Sequence, residues 1–245
     1  MTGSVIVFGP HRPGDNALDN SRWIAAKHID RLAEWAIPVV DDKATRDNLE
    51  ATLQNGLIDG IVLCGHGDGG KEFFLLHCQH QERNEDWHKR YNKTSELGAV
   101  RGSDDAAAFD HENLPHAAKR WVHVLACEVG LSKLPENARE IGVVFVSYTE
   151  RLVPEFTTST LPLDAARILA HIVTLTTTRL CERQFDENHI AGGVRRARED
   201  LLEWFDSDAG YAWVNGDGSF LERIGLTKFT TQLSSALRVV MPNET

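Results

Sequence analysis

The chain has 245 residues, 42% of them hydrophobic and 25% charged, and a formal net charge of -10. That length suffices for one large α/β domain with a single core. The acidic balance speaks against a nucleic-acid or anionic-membrane binder, since both need a cationic footprint. No apolar run approaches the roughly 18 to 20 residues that span a bilayer, and Met1-Thr-Gly-Ser4 sets no basic region ahead of the short apolar stretch after it. A cytoplasmic protein is expected, and the widely spaced Cys64, Cys78, Cys127 and Cys181 read as free thiols rather than disulfides.

In chain order, Ser4-Val-Ile-Val-Phe8 closed by Gly9-Pro10 reads as a buried strand. A polar loop from His11 to Asn20 leads to helical spacing at Trp23, Ile24, Ile29, Leu32, Ala33 and Trp35. Ile37 to Val40 is the second strand, Thr45 to Gln54 a helix stopped at Gly56, and Ile58 to Cys64 the third strand. This strand and helix alternation predicts a parallel sheet with right-handed crossovers. Glu72 to His77 is a short edge strand or hairpin arm, and residues 80–116 form a polar loop excursion beside the site that controls access to it.

Val122 to Ala126 is the fourth strand, Glu136 to Ile141 a short helix and Val143 to Ser147 the fifth strand. Two amphipathic helices follow, Leu163 to Cys181 and about His189 to Phe205; Arg195, Arg196 and Arg198 stand among acids on the second, a solvated face. Tyr211-Ala-Trp-Val214 is a candidate strand ending in the Asn215-Gly-Asp-Gly218 turn, and the tail from Phe229 to Val240 is weakly amphipathic. With no repeat, low-complexity segment or linker, residues 1–245 read as a single domain: α/β, with a mostly parallel central sheet of about six strands and helices on both faces.

Two stretches share one construction. Ile61-Val-Leu-Cys-Gly-His66-Gly67 and Trp121-Val-His-Val-Leu-Ala-Cys127 are apolar runs that each deliver a reactive side chain at the strand's C-terminal end, the edge where ligands collect in an open parallel sheet. A thiol near pKa 8.5 is a few per cent thiolate at neutral pH and still the most nucleophilic side chain available. A nearby histidine lowers that pKa and protonates a leaving amine, worth roughly 10² to 10⁴ in rate. Backbone N-H groups at Gly67 and Cys127 are natural donors to a developing oxyanion. Together they read as a catalytic dyad for acyl transfer, with no cofactor and no metal.

The pair of strand-end motifs, His66-Gly67 and, 61 residues on, Ala126-Cys127-Glu128-Val129-Gly130, resembles the caspase-like (clan CD) cysteine peptidases, and most closely the bacterial CHAT-domain proteases. The caspase signature is Gln-Ala-Cys-x-Gly with a histidine about 50 residues upstream. Here Leu125 replaces the glutamine and one extra residue separates Cys127 from Gly130, a form more like the legumain and CHAT versions. The order of strands from residue 4 to about 147 also fits, as does His189-Ile-Ala-Gly-Gly-Val-Arg-Arg-Ala-Arg after an amphipathic helix.

The resemblance implies a three-layer caspase-like fold and a cysteine endopeptidase acting on a protein substrate. Cys127 would be the nucleophile, His66 the general acid and base, and Gly67 with Cys127 the oxyanion hole. Family members recognise the side chain on the acyl side of the cut bond, some through an arginine after the first strand. Arg12 holds that place and would favour an acidic or amide side chain. Asp68, Glu128 and Glu150, near strand ends, would instead select a basic one, and both readings stand. Many members act only when rearranged, so activation by a separate protein or by self-association is expected by analogy.

Three rival readings stand beside this one. His77-Cys-Gln-His80 with Cys78, His88 and Cys64 offers metal ligands, yet no paired C-x-x-C or H-x-x-x-H spacing accompanies them among eleven histidines. Gly65 to Lys71 matches most of a phosphate-binding loop, but Glu72 stands where the Mg²⁺-holding hydroxyl belongs and would repel phosphate. The third is an inactive caspase-like interaction module, in which Cys127 is a small buried hydrophobe.

Overall fold

A computed structural model of the chain describes residues 3–11, 16–54, 57–68, 98–103, 107–127, 129–150, 152 and 157–243. The first strand, β1 (Ser4–Pro10), is buried from Val5 to Pro10, as a continuous β-branched run requires when both its faces are covered. Helix α1 (Asn16–Leu32) and a 3-10 turn over Ala33–Trp35 lead to β2 (Ala36–Asp41). Helix α2 (Arg46–Gln54) then precedes β3 (Ile58–Cys64). Three short strands come next: β4 (Gly67–Asp68), β5 (Ala99–Arg101) and β6 (Ala107–Asp110). After them run β7 (Trp121–Leu125), α3 (Leu134–Glu140) and β8 (Val144–Tyr148). The chain continues with α4 (Leu163–Cys181), α5 (Glu187–Phe205), α6 (Asp208–Asn215), α7 (Phe220–Ser235) and β9 (Leu237–Val240).

The main sheet has six strands in the order β2-β1-β3-β7-β8-β9. Every neighbouring pair is parallel except β8 with β9. Each parallel step needs a crossover, and the helices that supply them cover both faces, giving an α/β protein of three layers. On one face Val5, Val7, Val62 and Val146 pack against Ile24 of α1, Leu169 of α4, Leu201 of α5 and Phe229 of α7. On the other, Ile6, Phe8, Ile61 and Phe145 pack against Leu49 and Leu53 of α2 and Ala138 of α3.

Several expectations are corrected. The polar excursion assigned to residues 80–116 is in part ordered sheet: β5 and β6 pair antiparallel with each other and with β4 in a second, three-stranded sheet. Arg46 of α2 clamps the helix to this sheet through Asp110 at 3.1 Å and Glu112 at 3.3 Å, and Glu50 one turn along the same helix holds its guanidinium at 2.8 Å. The candidate strand at Tyr211–Val214 is inside α6, because the Ser207 hydroxyl caps the helix by accepting from Gly210 N-H, and the buried Gly210 and Trp213 stand one helical turn apart. The Asn215-Gly216 turn signal marks the end of that helix. The amphipathic tail divides into the end of α7 and the strand β9. The loop set at His11 to Asn20 gives way to α1 from Asn16. The expected edge strand at Glu72 to His77 and the excursion's residues 80–97 lie outside the described residues.

Candidate active site

The sheet brings the two reactive residues side by side through register. Strands β3 and β7 are parallel neighbours with Cys64 opposite Leu125. His66 and Cys127 each lie two residues beyond that pair, so both leave the sheet at the same level, from strands about 4.8 Å apart. Gly65 N-H donates to the Leu125 carbonyl at 3.4 Å, which keeps the strands joined one residue further. The order β2-β1-β3 places a reversal between β1 and β3, and the Gly65 backbone at the end of β3 lies against the Pro10 ring at the end of β1.

Gly67 fits against Cys127 because it has no side chain. A Cβ added to it would lie 2.8 Å from the Cys127 amide nitrogen and nearer still to the Cys127 carbonyl oxygen. Arg101 N-H donates to the His66 carbonyl at 3.0 Å, and Gly67 stands opposite Val100. In an antiparallel ladder the residue after such a bond occupies the non-hydrogen-bonded position, so Gly67 N-H turns away from β5. It therefore faces the side of β4 that β5 does not occupy.

Cys127 is half-buried, and its thiol donates to the Leu152 carbonyl at 3.3 Å. The bond engages the thiol proton, so passing that proton to another group requires that this contact be released. Cys127 and half-buried His66 line one small cavity of about 30 Å³. Its other walls are Ser21 and Ile24 of α1, Gly65, Leu125, Ala126, Leu152 and Phe229 of α7.

On β7 and α1, which both contribute to the cavity walls, stands a buried polar group. His123 of β7 hydrogen-bonds through Nδ1 with the Thr177 hydroxyl at 2.9 Å and through Nε2 with the Tyr148 hydroxyl at 3.0 Å. The His28 ring on α1 stands edge-on to it, 6.2 Å between centroids. His28 Nδ1-H donates to the Ile24 carbonyl at 2.9 Å, and its Nε2 has no partner among the described residues. Burial pushes the His28 pKa down to about 4, against the raising effect of the bond to Ile24; burial and the neighbouring His28 hold His123 well below the usual histidine range. Both imidazoles are neutral at pH 7.

The other described cysteines are poor nucleophiles. Cys64 is fully buried and its thiol is held far above the usual range by desolvation. The Cys181 thiol is pushed up to about 11, first by burial and then by Asp59 and Glu182, opposed by the N-terminal amine. Among the described residues no group of three or more His, Cys, Asp or Glu side chains is placed to hold a metal ion, while His77, Cys78, His80 and His88 lie outside them. Gly70, Lys71 and Glu72 of the phosphate-loop string lie outside them too.

Of the recognition residues expected from sequence, Arg12 and Glu128 lie outside the described residues. Asp68 is placed by its backbone alone, as the second residue of β4. Glu150 is exposed, two residues beyond β8. Sequence reasoning missed Ser21, Ile24, Leu152 and Phe229. The spacing of Ser21, Ile24 and His28 puts them on one stripe of α1, a signal that was readable but could not say which strand ends the stripe would meet. No helix among the described residues is long and apolar enough to cross a membrane. Comparison of the chain with family models, with curated proteins and with solved structures returns no match in any of the three.

Proposed function

We propose that the protein is a cysteine endopeptidase of the caspase-like, CHAT-like kind, with Cys127 as nucleophile and His66 as general acid and base. The observation that carries this reading is the register of β3 against β7, which lines one cavity with both side chains. The Cys127 thiol gives its proton to His66 as sulfur bonds to the carbonyl carbon of a peptide bond in a protein substrate. The N-H groups of Gly67 and Cys127 are the donors suited to the oxyanion that develops. His66 returns the proton to the departing amine as the C-N bond breaks. Water, deprotonated by His66, then hydrolyses the thioester and frees the thiol.

Activation by a partner protein belongs to the same proposal, because the bond to the Leu152 carbonyl engages the thiol proton. A turn of the Cys127 side chain away from the Leu152 carbonyl would release it. The free thiols Cys64, Cys127 and Cys181 fit a reducing compartment, and we place the protein in the cytoplasm.

The test compares cleavage-site surveys of a cell extract treated with the wild-type protein and with Cys127→Ala. Peptide termini produced by the first and lost with the second are expected. Identical surveys, together with alkylation of Cys127 no faster than that of Cys181, would leave the alternative of a non-catalytic interaction module. The bond from Cys127 to Leu152 is the one observation that favours that alternative.

A further inference from the structure

The cavity beside Cys127 limits what can enter it. Its about 30 Å³ is room for about two water molecules, since one needs roughly 10 to 15 Å³ by this measure. That space takes a methyl or hydroxymethyl group, and a carboxymethyl or guanidinium side chain overfills it. The walls are held by the core and do not yield easily: Ile24 and Leu125 are each 5% exposed, Phe229 1% and Leu152 8%. They belong to α1, the end of β7, α7 and the segment after β8, so widening the cavity means moving packed elements.

The chemistry of the walls points the same way. Apart from His66 and Cys127, which serve the proposed chemistry, no titratable side chain is among the described residues that line the cavity, and Ser21 carries the one hydroxyl among them. A charged side chain entering it would lose its hydration without gaining an opposite charge from these described walls. We propose that this cavity receives the substrate side chain on the acyl side of the cut bond and selects a small uncharged residue, alanine or serine in size. The proposal rests on the reading of Cys127 as nucleophile, and it sets aside both the acidic and the basic preference.

The test uses three peptidyl chloromethyl ketones that differ only at the residue next to the reactive group: alanine, aspartate or arginine. In each, the Cys127 sulfur displaces chloride, so a C-S bond forms as the C-Cl bond breaks, and peptide mapping by mass gives the rate at Cys127 and at Cys181. The alanine compound is expected to modify Cys127 roughly tenfold or more faster than the other two. Selective modification of Cys127 with the aspartate or arginine compound as fast or faster overturns the small-residue preference and leaves the nucleophile in place. Modification of Cys127 no faster than that of Cys181 by all three removes the nucleophile and the preference together.

A wall variant adds a second readout. Ile24→Ala enlarges the cavity and should raise the rate of a leucine compound relative to the alanine one; Ile24→Val should do so more weakly if the first variant folds poorly. An unchanged ratio in a folded variant means that this cavity is not where the side chain binds.

Discussion

Gly67 stands so close to Cys127 that a methyl group on it would fall within 2.8 Å of the Cys127 amide nitrogen. The two residues belong to loops at neighbouring strand ends, so a side chain at Gly67 would wedge apart the two loops that carry the reactive groups. Gly67→Ala is expected to lower stability by about 1 to 3 kcal/mol through overpacking and to change the alkylation rate of Cys127. Gly192 in α5 has nothing within 4 Å of an added Cβ. Gly192→Ala should instead raise stability by about 0.4 to 1 kcal/mol, by restricting the unfolded chain. Urea midpoints of the two variants check the pair, and equal shifts would refute the close approach.

Alkylation should proceed in a fixed order. Cys64 is buried and held protonated, and the Cys181 thiol is pushed up to about 11, so iodoacetamide at neutral pH should reach Cys127 before either. Cys127→Ser should abolish the fast phase and leave the urea midpoint unchanged within about 0.5 kcal/mol. Fast labelling of Cys64 in native protein would contradict its burial.

The buried histidines make stability depend on pH. The His28 value falls from 6.5 in the unfolded chain to about 4 in the folded one, so between these limits the unfolded chain binds the extra proton. The contribution of the neutral ring is fully present above pH 6.5 and is lost progressively down to about pH 4, on the order of 3 kcal/mol in total. His123, 6.2 Å away between ring centroids, acts in the same direction. Urea midpoints measured from about pH 7 to about pH 4 should fall, and His28→Leu should flatten the curve. A variant curve parallel to the wild type would show that His28 is not the titrating group.

Arg46 ties α2 to the small sheet, and its partner Asp110 has a side chain only 7% exposed. Arg46→Met leaves that carboxylate nearly buried without its charge partner, while Asp110 still accepts from Glu112 N-H. A loss of about 1 to 3 kcal/mol is expected, read by thermal unfolding. Glu112→Gln removes only the contact whose acid is 58% exposed and should cost less than about 1 kcal/mol.

Five of the six strands of the main sheet were legible as apolar runs, and β3 and α4 have the bounds read from sequence, whereas β9 was hidden in the weakly amphipathic tail. The candidate pair His66 and Cys127 comes from the same pattern, each standing just past a buried run. The short strands β5 and β6 were not, since three or four residues in a polar stretch carry too little periodicity. Helix α6 was misread because Tyr-Ala-Trp-Val alternates over four residues, where strand and helix patterns are hard to tell apart; the Ser207 cap and the burial of Trp213 decide the outcome. The cavity walls could not be read at all: Ile24 and Phe229 are ordinary core residues until packing brings them to Cys127.

Those walls set an order of events for the growing chain. Cys127 is in register with His66 as soon as β3 and β7 pair, yet the floor of the cavity is Phe229 and the outer edge of β8 is covered by Leu237–Val240. A nascent chain that has reached only Tyr148 already carries His66, Cys127 and the walls from α1 and β7, but it lacks Leu152 and Phe229, so the cavity stays open. The last wall arrives late: α4 to α7 must be made and packed before Phe229 closes the cavity that His66 and Cys127 share.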